Sequence, residues 1–415
     1  MFPLLIFILL LLIVNYAITK KIFSPGFTFN GIYFVTLLLY SFMLSDIQQE
    51  LSNMTLLIYW LSLIFFNIPV ILLSLKQKYN VGIFSRPKHR PIRKFKYRVP
   101  RESMLIALVI AFFLVQVIYS KGFPVLWKLT GSDKTYFDFG IPSITGLYYG
   151  FIITIGAWSL FKKRSILRFV CLFIAILIIS RQVIISILLE GILFKLLTLK
   201  KNKWKFYRVI LVLAVVGIFA FALIGNFRTG EADFLRVAKF KDSTNSIPTA
   251  FKWIYSYMCF SVSNFNNLVS MTSGNVNHGA SMINELTPTV LTNMLNIKEV
   301  FTDNFLVSLN FTVSTYMPPI YLDFGVFGIC LFTFILGLVS ILLFNALQKK
   351  KSLRLYLAYC VLTHNILLLF FNNMFLYLPI LSQFIFIPLI FVRKRKRIYR
   401  FKENYSLQTI KAIGE

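Results

Sequence analysis

Long apolar runs, separated by short basic segments, constrain this 415-residue chain more than any other feature. A bilayer core about 30 Å thick needs about 20 apolar residues per helical span, and such runs recur along the chain. Hydrophobic residues make up 57% of the sequence, above the roughly 45–50% of soluble globular proteins. The runs are continuous and do not alternate, which favours helices over barrel strands. The sequence therefore predicts an all-α polytopic integral membrane protein with about eleven transmembrane helices.

The net charge of +29 is concentrated in short segments beside the apolar runs. This is the pattern of cytoplasmic loops facing anionic membrane lipids, so no nucleic-acid partner is expected. The basic segment 76–101, Lys349–Lys351 and Arg393–Arg397 are predicted to be cytoplasmic, and the last of these places the C-terminus inside. No internal repeat is evident, so residues 1–415 are predicted to form a single membrane domain.

One long polar segment, 226–317, interrupts the apolar pattern. It carries six basic and six acidic side chains and thus has no net charge, unlike the basic segments. The positive-inside bias therefore predicts that it is one large outer loop.

An apolar stretch from Arg168 to Leu199 is interrupted by Arg181 and has basic residues at both ends. If both ends are cytoplasmic, the stretch crosses twice, as helices over 165–180 and 183–198. An arginine facing lipid costs about 2.5–3.5 kcal/mol, so Arg181 is expected to face protein, water or an anion. Glu190 is expected to point inward for the same reason.

Three outer arginines are candidates for binding pyrophosphate, because a guanidinium pairs bidentately with phosphate and stays charged. They are Arg181, Arg228 and Arg236. The alternative is ordinary pairing of Arg228 and Arg236 with the nearby Glu231 and Asp233.

Aromatic and amide side chains of the outer segment are candidates for binding sugar rings and hydroxyls. The alternative for the aromatic residues is the interfacial belt of membrane proteins. The candidates are Trp253, Tyr257, Asn264, Asn267, Tyr316 and Tyr321.

Candidates for a general base are His278, Asp323 and Glu231, each able to accept a proton from an attacking hydroxyl. The four cysteines have no metal-ligand spacing, and no phosphate-binding loop or zinc-hydrolase motif is present. No metal, cofactor or nucleotide sugar is therefore expected.

Several segments of the sequence, in their order along the chain, resemble the bacterial O-antigen and capsule repeat-unit polymerases of the Wzy type. The resemblance covers roughly residues 120–347. The segments that carry it best are Gly225–Arg228, Trp253–Tyr257, Ser263–Asn267, Ser314–Tyr316 and Tyr321–Gly325.

The resemblance implies a GT-C-like fold and a glycosyltransferase of polysaccharide biosynthesis in the bacterial plasma membrane. Such enzymes join undecaprenyl-pyrophosphate-linked oligosaccharide repeats on the outer face of the membrane, for lipopolysaccharide or capsule. A chain-length regulator protein is a further partner that the resemblance implies. It assigns Arg181 and Arg228 to the pyrophosphates and leaves the base open.

Three other functions fit the same composition. An O-antigen ligase performs the same chemistry on a lipid A core acceptor. A lipid-linked oligosaccharide flippase would place charges along many spans. A non-catalytic membrane scaffold would need no clustered arginines or asparagines.

Overall fold

A computed structural model describes residues 1–79, 97–162, 165–199, 208, 222–223, 225–226, 230–287, 292, 294–301 and 305–393. The described chain is mainly helical, as predicted, and the apolar runs supply most of the helices. The α-helices are α1 Phe2–Thr19, α2 Pro25–Tyr40, α3 Asn53–Tyr79, α4 Glu102–Ser120, α5 Pro124–Leu129, α6 Ile144–Ser159, α7 Leu167–Leu177, α8 Arg181–Thr198, α9 Glu231–Ala238, α10 Thr249–Met271, α11 Ala280–Leu286, α12 Met317–Lys350, α13 Leu353–Leu367, α14 Leu378–Leu381 and α15 Gln383–Ile390.

Four of the described helices, α1, α3, α4 and α12, are long and apolar enough to cross a membrane by length and composition. Three shorter apolar helical stretches lie at 144–159, 167–177 and 378–390. A membrane-embedded, polytopic protein is consistent with these helices. The number of about eleven crossings and the GT-C-like fold remain predictions.

The break predicted at Ser180–Gln182 is present. The chain leaves α7 through Ile179, whose φ of 56° is left-handed, and α8 begins at Arg181. The Ser180 hydroxyl accepts a hydrogen bond from the backbone N–H of Val183 at 3.4 Å and caps the new helix.

The buried apolar residues form two cores. The first gathers side chains from α1, α2, α3, α10 and α12, and the second gathers side chains from α4 to α8, α14 and α15. Helix α13 belongs to both, because Tyr359, Leu362 and Ile366 face the first core while Leu357 and Val361 face the second. Spacings of three, four and seven residues place each set on one side of a helix.

Segments rich in Lys and Arg meet at one end of the molecule, which we call the basic end. Strand β1, Tyr97–Arg98, pairs antiparallel with β2, Val392–Arg393. Lys162 forms an ion pair with Glu102 at 3.4 Å, and the Arg354 Nε donates to the Phe391 carbonyl at 2.6 Å. This clustering is what a shared cytoplasmic side requires, although the segment 80–96 and residues beyond 393 lie outside the described residues.

The described part of segment 226–317 packs on the opposite end, which we call the polar end. The backbone N–H of Asp46 donates to the Lys239 carbonyl at 3.0 Å, and that of Ser52 donates to the Asn266 side chain at 2.9 Å. Helix α10 carries most of the packing, since nearly its whole length is buried in the first core. The segment is therefore an integral part of the fold.

A buried polar cluster joins α8, α13 and α15 inside the second core. His364 Nδ1 lies 2.8 Å from the Glu190 carboxylate, and the Gln383 amide donates to the same oxygen at 2.8 Å. Glu190 is 2% exposed, which confirms the expectation that it points inward.

Candidate functional site

A kink in α12 organises the polar end. Gly325 has φ 60° and ψ −153°, a conformation essentially restricted to glycine, so the helical hydrogen bonds are interrupted there. The carbonyls of Tyr321 and Leu322 accept instead from a neighbouring loop. The N–H of Asn275 donates to Tyr321 at 3.0 Å, and those of Val276 and Asn277 donate to Leu322 at 2.7 and 3.0 Å. The kink therefore holds the loop before α11 against α12.

Asp323 fixes α11 at the same place. Its carboxylate is fully buried and accepts the backbone N–H groups of Ser281 at 3.0 Å and Met282 at 2.8 Å. These N–H groups belong to the first turn of α11, where they have no partner within the helix. Asp323, a predicted base, thus caps another helix, with both carboxylate oxygens engaged.

A cleft, partly open to solvent, lies between α11, residues 299–301 and 305–314, and the start of α12. One side is apolar and includes Phe301, Pro318 and Pro319. The polar residues that line it are Ser281, Glu285, Glu299, Thr312, Ser314 and Asn372. Hydroxyls, an amide and two carboxylates in one concave surface are the groups that bind and deprotonate sugar hydroxyls.

The two carboxylates of the cleft differ in their contacts. Glu299 is half-buried, and its Oε1 accepts a hydrogen bond from the Asn284 amide at 3.0 Å. Glu285 makes no hydrogen bond within the described residues. Its side chain is exposed at the cleft, but the carboxyl is surrounded by a high density of protein atoms. This desolvation, and then the like charges of Glu299 and Asp323, raise the pKa of Glu285 to about 7.

Arg181 lies on the polar end, at the turn that separates α7 from α8. It is the first residue of α8 and is half-buried. The amide of the next residue, Gln182, donates to the Met374 sulfur at 3.3 Å. The same turn provides Asn372 to the cleft and Asn373, whose amide donates to the Tyr316 carbonyl at 3.3 Å. The turn 372–374 therefore borders both the cleft and the start of α8, the helix that Arg181 begins.

Among the described residues, the charged candidates Arg236, Glu231 and His278 do not line the cleft. Arg236 forms an ion pair with Asp233 at 2.8 Å, and both side chains are exposed. Glu231 begins α9 and hydrogen-bonds to Thr249. His278 is exposed, with a left-handed φ of 49°. Arg228 lies outside the described residues.

Three of the four proposed sugar-binding aromatic residues, Trp253, Tyr316 and Tyr321, are buried inside the protein. Trp253 is 4% exposed, stacks on Phe234 with ring centroids 3.8 Å apart, and donates through Nε1 to the Asn226 side chain at 2.7 Å. Tyr316 is 1% exposed, and its hydroxyl bonds to those of Tyr33 at 2.9 Å and Ser62 at 2.7 Å. Neither ring has an open face for a sugar.

Tyr321 and Tyr257 differ in exposure. Tyr321 is buried, and its hydroxyl donates to the Thr272 carbonyl at 3.1 Å. Tyr257 is half-buried, and its ring stacks on that of Phe371, with centroids 5.6 Å apart.

The two candidate asparagines have different environments. Asn264 is fully buried and makes three hydrogen bonds to the backbone of 307–313, at 2.7 to 2.8 Å. Its amide holds the segment that forms the cleft wall, so its role is structural. Asn267 is half-buried and does not line the cleft.

Glu285 and Glu299 are the site residues that the sequence did not single out. They are separated by thirteen residues of mixed composition and belong to no motif. Only their acidic character in the polar segment 226–317, which has no net charge, could have drawn attention to them. Within the described residues, no group of three or more His, Cys, Asp or Glu side chains is placed to hold a metal ion.

No family model, curated protein or solved structure matches this chain.

Proposed function

We propose that the chain is a membrane glycosyltransferase that joins lipid-pyrophosphate-linked oligosaccharide repeat units into a surface polysaccharide. The proposal places the reaction at the polar end, on the outer face of a bacterial plasma membrane. The observation that carries it is the cleft lined by Glu285, Glu299, Ser281, Ser314 and Asn372 beside the turn that contacts the start of α8.

The two sides of this arrangement suit the two halves of the reaction. The hydroxyls, amide and carboxylates of the cleft suit an acceptor sugar, whose hydroxyls both donate and accept hydrogen bonds. The guanidinium of Arg181 suits the leaving pyrophosphate, because a fixed cation stabilises the negative charge that develops there. Arg228 is proposed for the same role from its sequence position alone.

An O-antigen ligase uses the same chemistry and is the nearest alternative. A lipid-linked oligosaccharide flippase is favoured by one observation, the buried cluster of Glu190, His364 and Gln383. Ionisable pairs inside membrane proteins often mark proton relays. Here, however, the cluster is confined to contacts among three helices of one core.

Deletion of the gene separates these functions through the position and length of the glycan. Loss of a polymerase leaves single repeat units on the final acceptor. Loss of a ligase leaves polymer on the carrier lipid, and loss of a flippase leaves carrier-linked single repeats inside the cell. We expect the first pattern, measured by gel analysis of acceptor and carrier fractions. Either of the other two patterns contradicts the proposal.

Complementation then tests the arginine. Arg181→Ala should fail to restore long glycans, whereas Lys241→Ala, which removes an exposed cation of the same end, should restore them. Membrane levels of both variants, measured by immunoblot, control for folding. Full restoration by Arg181→Ala at normal levels removes Arg181 from the proposed site.

A further inference from the structure

We propose that Glu285 is the general base of this transfer and that Glu299, which lines the same cleft, is a positioning residue that acts through Glu285. The inference rests on the proposed function and deepens it by assigning the residue that activates the acceptor. None of the three bases expected from the sequence occupies this position.

Three neighbouring carboxylates make different contacts. Asp323 accepts two backbone N–H groups and is fully buried, so it cannot reach a substrate. Glu299 accepts the Asn284 amide, which fixes its orientation. Glu285 is exposed at the cleft and is not hydrogen-bonded within the described residues. It is therefore the carboxylate left to meet a substrate hydroxyl.

The surroundings of Glu285 favour proton uptake near neutral pH. Glu299 faces it from the segment 295–301 and Asp323 faces it from α12, and both are acidic. The other described residues that line the cleft carry no ionisable group. Burial and these two acids raise the pKa of Glu285 to about 7, where a base combines adequate strength with a large deprotonated fraction.

The proposed transfer step forms one bond and breaks one bond at the anomeric carbon of the donor. The acceptor hydroxyl gives its proton to the Glu285 carboxylate while its oxygen forms a bond to the anomeric carbon of the donor. The bond between that carbon and the pyrophosphate oxygen breaks, and the lipid pyrophosphate leaves with the electron pair. Glu285 then releases the proton to water. No oxidant, reductant or further reactant is needed.

The test uses the purified full-length chain in proteoliposomes with lipid-pyrophosphate-linked repeat units extracted from cells that lack this protein. The initial rate of glycan lengthening is measured from pH 5 to pH 9. Glu285→Gln should lower the rate roughly 10²–10⁴-fold, the usual contribution of a general base. Glu285→Asp should keep partial activity and an acid limb. Asp242→Asn, an exposed acid of the same end, should match the wild type.

The dependence of the rate on pH tests the proposed role of Glu299. Wild-type activity should rise with pH through about 7, because the base works only when deprotonated. Glu299→Gln removes a like charge and lowers the pKa of Glu285, so the acid limb should move to lower pH. A purely structural role of Glu299 would lower the rate at all pH values without moving the limb.

Each outcome decides a separate point. A near-wild-type rate in Glu285→Gln overturns the base assignment while leaving the proposed function standing. An unmoved acid limb in Glu299→Gln overturns the role of Glu299. If the folded wild-type chain lengthens no glycan at any pH, the proposed function fails and the inference fails with it.

Discussion

At the residue scale, the hydrogen-bond partners of Asp323 and Glu285 indicate a structural role for the first and a proposed reactive role for the second. Asp323 and Glu285 both lie at the contact between α11 and α12. Both carboxylate oxygens of Asp323 accept hydrogen bonds from the first turn of α11, whereas Glu285 lines the cleft. The same residue class therefore serves as an anchor in one position and as a candidate base in the other.

Replacing Asp323 should loosen α11. Asp323→Asn keeps the shape but supplies one acceptor oxygen in place of two, and it removes the charge. Hydrogen bonds to charged groups contribute about 1.5–3 kcal/mol each, so local stability should fall by about that amount. Hydrogen exchange of the amides in 280–286 should become faster, while Asp242→Asn leaves it unchanged. Unchanged protection in Asp323→Asn would show that the cap is dispensable.

At the element scale, the interruption of α12 at Gly325 connects the helix to the polar segment 226–317. The conformation of Gly325 costs roughly 1–3 kcal/mol for residues with a Cβ. No side chain crowds the position, since the nearest atoms to an added Cβ lie 4.0 Å away, so strain alone opposes substitution.

Gly325→Ala should therefore destabilise the protein by roughly 1–3 kcal/mol and release the loop 275–277. The measurement is the thermal unfolding midpoint in detergent, together with hydrogen exchange of that loop. Gly31→Ala is the matched control, because Gly31 lies within α2 with its nearest non-local atom 3.9 Å from an added Cβ. It should be neutral or slightly stabilising. Equal behaviour of the two variants would contradict the proposed strain.

Much of the order of the helices could be predicted, because apolar runs and the breaks between them are local properties of the sequence. The turn before Arg181 followed from the basic residues at both ends of one apolar stretch. The polar segment was expected to end near residue 317, and α12 begins at Met317. Pro318 and Pro319 fit the first turn of a helix, whose N–H groups need no internal partner.

The site could be predicted only in part, because its contacts join distant segments. Asn264 was a reasonable ligand candidate, since a buried amide without partners is costly. Its partners are backbone groups more than forty residues further along the chain, and no local pattern encodes that pairing. The aromatic residues near Trp253 in the sequence favour sugar binding, but its ring stacks on Phe234 in the core.

At the scale of the whole molecule, two helical cores meet along α13 and contribute different groups to the polar end. The first core carries the cleft and its carboxylates, and the second core carries α8 with Arg181. The turn after α13 contacts both, through Asn372 and Met374. A donor bound by one core and an acceptor bound by the other would be oriented by the packing between them.

The most direct test of this account is glycan lengthening by the purified chain in proteoliposomes that contain only lipid-pyrophosphate-linked repeat units. No nucleotide sugar is added. The account predicts a ladder of products, each longer by one repeat, that is lost in Arg181→Ala and kept in Lys241→Ala. A folded wild-type protein that leaves every repeat unit at its starting length would contradict it.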